Sequence, residues 1–347
     1  MENLGAFMDK LDHMYVKDIP VPDIKPDQVL IQVEYVGICG SDVHYFHDGR
    51  CGTFVLGEGE FMLGHECAGT VVKAGEQVKT LVAGDRVCVE PGITCGKCEF
   101  CKSGHYNLCP DVEFLATPPV QGCYERYLAF PADLCFKLPD NVSSRAGCLI
   151  EPLATGMYAA ELGAITVGDS VVILGCGCIG LMTLMSAKAR GASQIIACDL
   201  ENIRLEKAKE LGADHVINSK ETDILAEIAR LTDGRGPDVV FETAGSKVTI
   251  AQTAYIVRRG GLIVLVGMSA EEEITYNFGQ IMAKEVRIKS LFRYVNMFPK
   301  TIAAVAGGLI PVEKVATHEF TLDEIQKAFD SSIFDKSNVV KAVIKIN

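Results

Sequence analysis

The chain has 347 residues, 48% of them hydrophobic, enough for two domains of ordinary size with separate cores. Its formal net charge is −12, and no Lys/Arg cluster stands out, which argues against nucleic acid as a partner. The one long apolar run, from Val171 to Met185, is interrupted between Gly175 and Gly180 and is too short to span a bilayer. The first residues, MENLGAFMDKLDH, include acidic side chains and no apolar signal core, so no export signal is expected.

In chain order, the first third reads as β-rich. Val29–Val36 alternates, Ala68–Val72 follows a Gly-His-Glu triplet, and Asp85–Val89 follows a glycine turn. Short strands punctuated by Gly and Pro predict a compact, barrel-like β domain. Residues 90–119 are rich in Cys, Gly and Pro without periodicity, which predicts an excursion held together by a metal. After Leu138-Pro139-Asp140 the pattern changes: a helix over 146–162 leads into the apolar strand Val171–Leu174. Further strands are expected at 194–198, 215–217, 238–242, 262–266 and 286–289, with helices over 202–211 and 223–231. That alternation predicts an α/β fold, a doubly wound parallel sheet following the β-rich domain. The tail, ending in strand-like Val339–Ile346, is expected to pack back on the first domain. The expected division is therefore 1–150 with 296–347, carrying a lobe at 90–112, and 151–295.

The sequence contains fourteen cysteines. In a chain of this length with no export signal expected, metal binding and free thiols are favoured over disulfides, and the expected compartment is a reducing cytoplasm. Cys95, Cys98, Cys101 and Cys109 form C-x2-C-x2-C-x7-C. Four thiolates close a tetrahedral zinc shell and leave no place for substrate, as in a structural site. An iron–sulfur centre is the alternative reading of the same run. Cys39 and His65-Glu66 supply a second set that leaves a coordination position open, as a catalytic zinc requires. One thiolate, one neutral imidazole and one carboxylate bring Zn²⁺ to zero net charge. Glu151, in Leu149-Ile150-Glu151-Pro152, is a further acid; if it and Glu66 both bound directly, the site would turn negative, so one of them is expected to act through water or substrate. Ser41 and His44, two and five residues after Cys39, could form a proton exit path, although His44 also reads as an ordinary exposed histidine.

Gly175-Cys176-Gly177-Cys178-Ile179-Gly180 is G-x-G-x-x-G, placed directly after a predicted strand and before a helical run. That context fits a tight turn with a helix N-terminus aimed at a pyrophosphate. Asp199 ends the next predicted strand, where a carboxylate would accept ribose hydroxyls and repel a 2′-phosphate, which favours NAD over NADP. Arg204 either lines the adenine side or is a solvated helix residue. Cys176 and Cys178 read as small gap-fillers or, at a helix N-terminus, as thiols of lowered pKa whose modification would block the cofactor.

GICGSDVHYF, LGHECAGTV, GDRVCVEPG, the four-Cys lobe, FLATPP, KLPDNVS, LIEPLATG, GCGCIG and LFRYVN together make the chain resemble the zinc-dependent medium-chain dehydrogenases, most closely their sorbitol (polyol) branch, over nearly its whole length. The resemblance implies a GroES-like catalytic domain and a Rossmann domain, and a homo-oligomer, dimer or tetramer, with a seam near 286–290. It implies one catalytic zinc on Cys39, His65 and Glu66 with Glu151 at the zinc or its water, and one structural zinc. It places Tyr45, Glu151, Arg293 and Tyr294 around the polyol, with Phe114 and Thr117 nearby, and it assigns NAD contacts to Ile179, Asp199, Arg204, Val266-Gly267-Met268 and Leu291-Phe292-Arg293. The activity implied is hydride transfer between carbon 2 of a polyol, such as sorbitol or xylitol, and NAD, giving a ketose. The alternative is another secondary alcohol, such as threonine or 2,3-butanediol. The complete four-Cys lobe departs from the mammalian sorbitol enzymes, as does Val120-Gln121-Gly122-Cys123 near the expected substrate entrance.

Overall fold

A computed structural model describes residues 2–269, 271–335 and 337–347. The chain separates into two compact units, Met1–Glu151 with Phe298–Gly308 and Ala316–Asn347, and Pro152–Met297 with Leu309–Val315.

The first unit is organised on the strand Gln28–Gly37, whose Val and Ile side chains suit a pleated, buried surface. It pairs antiparallel with Glu66–Ala74, Tyr127–Pro131 and Ala342–Lys345. The last of these is the expected return of the tail, and it also pairs in parallel with His318–Thr321. Arg86–Val89 and Cys135–Lys137 continue the sheet beyond Glu66–Ala74. Ile31, Val33, Val36, Phe46, Tyr124 and Phe329 are fully buried at its centre. The metal-lobe segment is held by a two-residue pairing of Gly92–Ile93 with Glu113–Phe114, a helical turn at Glu99–Lys102, and the Tyr106 hydroxyl donating to Glu90 at 2.6 Å.

The helix expected over 146–162 is two helices, Ser144–Gly147 and Ile150–Leu162. Pro152 explains the break. It has no N–H to offer the Cys148 carbonyl and its ring would collide with it, so Pro152 is accommodated only in the first turn of a new helix.

The second unit carries six strands, all paired in parallel, in the order His215–Asn218, Gln194–Asp199, Ser170–Leu174, Val239–Glu242, Leu262–Leu265, Arg287–Ser290. This is the 3-2-1-4-5-6 order of a doubly wound dinucleotide fold. Val171–Leu174 is fully buried, as a strand covered on both faces must be. Helices Cys178–Ala189, Asn202–Glu210, Ile224–Leu231 and Lys247–Ile256 connect the strands, and the Asp223 side chain caps the third by accepting from Leu225 N at 2.9 Å. Arg287–Ser290 is an exposed edge strand. Residues 309–315, expected with the first unit, group with the second, where Lys314 Nζ lies 3.4 Å from a Glu210 carboxylate oxygen. Among the described residues no helix is long and apolar enough to cross a membrane.

One carboxylate ties the start of this sheet together. Asp238 accepts from Ser170 N at 2.9 Å, Ser170 Oγ at 2.7 Å, Arg258 Nε at 2.6 Å and Arg235 Nη2 at 2.6 Å. Burial opposes its ionisation, but bonds from Arg235, Ser170 and Arg258 hold its carboxyl far below the usual carboxylate range. Asp238→Ala is expected to destabilise the second unit by roughly 2–4 kcal/mol at neutral pH. Because the folded-state pKa is depressed, that contribution is complete above the unfolded value near about 4 and is lost as pH falls through the folded value. Denaturant unfolding at pH 7 and pH 3 checks this: the gap between variant and parent should narrow at the lower pH.

Candidate active site

The open ligand set is assembled by strand register. Gly37 lies opposite Glu66 in the antiparallel pair, and Cys39 stands just beyond that strand as the N-cap of the helix Gly40–Asp48. The ligand atoms of Cys39, His65 and Glu66 lie within 4.8 Å of one another, a span that fits a single ion. His65 and Glu66 are buried, and the His65 ring packs against Phe114 with centroids 5.6 Å apart.

Two residues not anticipated from the sequence hold this set. Asp42, fully buried, accepts Cys39 N on one oxygen and Gly64 N on the other, both at 3.0 Å. Its Oδ1 lies 3.5 Å from His65 Nδ1. Burial disfavours a charge there, but His65 and the two amides keep the Asp42 carboxyl below its ordinary range. Burial likewise opposes a charged His65, and the negative charge of Asp42 and Cys39 outweighs it, raising the imidazole well above its ordinary value. Lys341, from the tail, donates to both Glu66 oxygens and to the Ile38 carbonyl. The sole sequence signal for Asp42 is its place at the third helical position, where a carboxylate reaches back to the N-cap amide. Lys341 offers none, being 275 residues from Glu66.

Ser41 is half-buried on the same helix as Cys39, and His44 is exposed with Nδ1 3.0 Å from Asp48 Oδ2. Tyr45 is buried and hydrogen-bonded with Thr117, and burial pushes its hydroxyl to about 12. Glu151 is buried in the first turn of Ile150–Leu162. Among the described residues it stands outside the three-donor group.

The four sulfurs of Cys95, Cys98, Cys101 and Cys109 also lie within 4.8 Å of one another. Zinc–sulfur bonds near about 2.3 Å in a tetrahedron require sulfurs about 3.8 Å apart, and Cys95 and Cys101 are separated by 4.0 Å. A single ion therefore suits this cage better than the iron–sulfur alternative. Backbone amides converge on the sulfurs: Cys98 N on Cys95 and Cys101 N on Cys98, both at 3.4 Å. Amides of Lys97 and Cys98 lower the Cys95 thiol to about 7, towards the thiolate that binds metal.

In the second unit, Gly175 leaves its strand with φ +93°, and a Cβ on Gly180 would stand 1.9 Å from the Gly175 carbonyl oxygen. Gly177 caps the helix Cys178–Ala189 and faces open space where a Cβ would be, a cradle suited to a phosphate group. Ile179 is half-buried in the first turn. Asp199 ends the neighbouring strand and accepts Cys176 N at 2.6 Å, with Leu200 N and Glu201 N on its other oxygen. Arg204 lies 3.8 Å from it, partly exposed, with its Nε buried and without a hydrogen-bond partner. Cys176 is fully buried, and burial raises its thiol well above the ordinary range, so the lowering expected at a helix N-terminus does not hold there. Val266 and Gly267 amides both donate to the Glu242 carbonyl, while Met268 is exposed. Leu291 N donates to Leu265 O, Phe292 is exposed, and the Arg293 guanidinium lies 4.8 Å from the Phe292 ring centre. Arg293 has φ +55°, a left-handed conformation uncommon for a residue other than glycine and recurrent at functional sites. Tyr294 is buried.

Replacing Cys98 by Ser is expected to remove one zinc equivalent per chain and lower Tm. Metal analysis with a thermal melt checks this, and unchanged zinc content would contradict the four-thiolate cage.

Comparison with known proteins agrees with this arrangement. Residues 25–140 match the family model described as alcohol dehydrogenase GroES-like domain, and residues 178–307 match that of the zinc-binding dehydrogenases. Sorbitol dehydrogenase of Bacillus subtilis is 44% identical over 99% of this chain and 97% of its own length. The crystal structure of an Escherichia coli oxidoreductase/dehydrogenase of unknown specificity superposes with TM-score 0.96 at 44% identity, covering all of both chains. That of 2R,3R-butanediol dehydrogenase from Bacillus subtilis superposes with TM-score 0.90 at 32% identity, over 99% of this chain and 100% of that one. The chain belongs to the zinc-binding, GroES-like alcohol dehydrogenase family, as an oxidoreductase close to the sorbitol dehydrogenases.

Proposed function

We propose that the protein is an NAD-dependent zinc polyol dehydrogenase that oxidises carbon 2 of an open-chain polyol to a ketose. The observation that carries the reading is the three-donor group of Cys39, His65 and Glu66, which offers an ion three ligands and leaves its remaining position for an alcohol. Zinc held there would supply Lewis acidity to the alcohol oxygen, and NAD on the Gly175 loop would accept the hydride.

The chain's own residues have the following roles in this reading. Ser41 takes the hydroxyl proton and passes it towards His44. The carboxylate of Asp48 orients His44 through Nδ1, which leaves Nε2 to exchange the proton with solvent. Glu151, outside the donor group, serves the substrate or a water rather than the ion. Tyr45 borders the substrate beside Thr117, and Arg293 and Tyr294 bind hydroxyls that cannot reach zinc; several donors in a fixed fork suit a chain of hydroxyls. Asp199 binds the adenosine ribose, Arg204 lines the adenine side, and the segments Val266–Met268 and Leu291–Arg293 contact NAD. Cys95, Cys98, Cys101 and Cys109 hold a structural zinc. The exposed edge Arg287–Ser290 supports pairing with a second copy, and the reducing composition supports a cytoplasmic setting.

The likeness to 2R,3R-butanediol dehydrogenase keeps a smaller secondary alcohol as the second reading. NAD reduction by purified protein against sorbitol, xylitol, galactitol, ribitol and iditol, with threonine and 2,3-butanediol as controls, decides between them. Activity on one or two polyols, lost on chelation and restored by zinc, is expected. Activity on the controls alone would overturn the roles given to Arg293 and Tyr294. Asp199→Ser is expected to lower kcat/KM for NAD by roughly tenfold or more while that for NADP rises. Coenzyme kinetics on the variant check this, and an unchanged preference would contradict the role of Asp199.

A further inference from the structure

A buried lysine pointing at a metal-ligand carboxylate is an unusual companion for a cation site. Lys341 and Glu66 are 2% and 1% exposed, so the pair is screened by almost no water. All three ammonium protons are committed, two to the oxygens of Glu66 and one to Ile38 O at 2.7 Å. The fold makes room for this contact. A Cβ at Gly37 would lie 2.0 Å from Glu66 Oε2 and 3.2 Å from Lys341 Cε, so a side chain at 37 would dislodge the pair. The lysine comes from the tail segment preceding Ala342–Lys345, and its own backbone carbonyl accepts from Thr317 N and His318 N, which fixes the stem.

We infer that Lys341 is a positioning residue that weakens the hold of Glu66 on the metal. The ammonium draws on both carboxylate oxygens at once, so Glu66 shares its charge between the lysine and the ion. Counting the buried carboxylate of Asp42 beside His65, the charge of Cys39, His65, Glu66 and a divalent ion is minus one without Lys341 and zero with it. In an interior of low effective dielectric, an ammonium bonded to both oxygens of a ligand carboxylate reduces the pull of that carboxylate on a dication. The ion is thereby held less tightly and keeps more of its Lewis acidity. Before metal is bound, the same lysine compensates a carboxylate that would otherwise be buried alone.

The inference rests on zinc occupying the three-donor group, and the test separates the two claims. Zinc content is measured first: two equivalents per chain are expected, and one equivalent retained by the four-thiolate cage alone would overturn the three-donor site itself. Release of the second zinc to a chelator is then followed in the parent protein and in Lys341→Gln, Lys341→Met and Lys341→Arg. Lys341→Gln keeps N–H donors without the charge, and it carries the test if the methionine variant does not fold. The expected result is slower release in the neutral variants, on the order of tenfold or more, with near-parental release in Lys341→Arg. In cobalt-substituted protein, the visible bands of the three-donor site should shift in Lys341→Gln while those of the thiolate cage stay fixed. In a Glu66→Gln background the effect of Lys341→Gln on release should shrink, because the part exerted through that carboxylate is gone. Release at the parental rate or faster in Lys341→Gln, with unchanged cobalt bands, would overturn the inference and leave the pair as an anchor for the tail.

Discussion

The antiparallel pairing of Gln28–Gly37 with Glu66–Ala74 is the constraint on which the rest of the first unit depends. Two irregularities interrupt the ladder, between Leu30 and Ile31 and between Val33 and Tyr35, and the register that results sets Gly37 opposite Glu66. A slip of one residue would turn Glu66 to the other face of the sheet and dissolve the donor set. Cys39 leaves the first strand two residues later, so a thiol, an imidazole and a carboxylate meet without any long loop having to be ordered. Asp42 locks the junction by taking one amide from each side. The site is thus built on rigid elements, as positional accuracy at a metal centre requires.

Charge is handled inside this unit with little help from solvent. Asp42, Glu66 and Lys341 are all buried, and each is satisfied by named donors or acceptors. Isolated buried charges would cost several kcal/mol each. A network in which every member is bonded is tolerated and fixes geometry at the same time. The tail is therefore part of the candidate site: its strand pairs beside Gln28–Gly37, and its lysine reaches Glu66. The second unit solves a different problem with backbone groups, since the Gly175 loop is held by the Asp199 carboxylate through Cys176 N and by glycine-sized gaps.

Local features were legible in the sequence where chemistry depends on spacing. The four cysteines, the Cys39 and His65-Glu66 set, and the glycine loop followed by Asp199 are each short-range patterns whose residue types leave few other uses. The parallel strands were legible because Val171–Leu174 and its neighbours are apolar without alternation. Long-range partners were not. Lys341 reads as one lysine among many until the tail strand brings it to Glu66, and Asp42 reads as a helix cap until Gly64 arrives on its other oxygen. The break before Ile150 needed the proline clash at the Cys148 carbonyl to be weighed above helical periodicity. Cys176 offers two readings in the sequence, a small gap-filler or an activated thiol at a helix start, and its complete burial favours the first.

Deuterium tracing tests the central claim most directly. The polyol on which the protein is active, labelled with deuterium at carbon 2, is incubated with purified zinc-loaded protein and NAD, and the nucleotide and sugar products are analysed by mass spectrometry and NMR. The account predicts that the label moves to carbon 4 of the nicotinamide, that the sugar becomes a ketose without it, and that Cys39→Ser abolishes transfer. Release of the label to water, retention in unchanged polyol, or transfer undiminished in Cys39→Ser would contradict it.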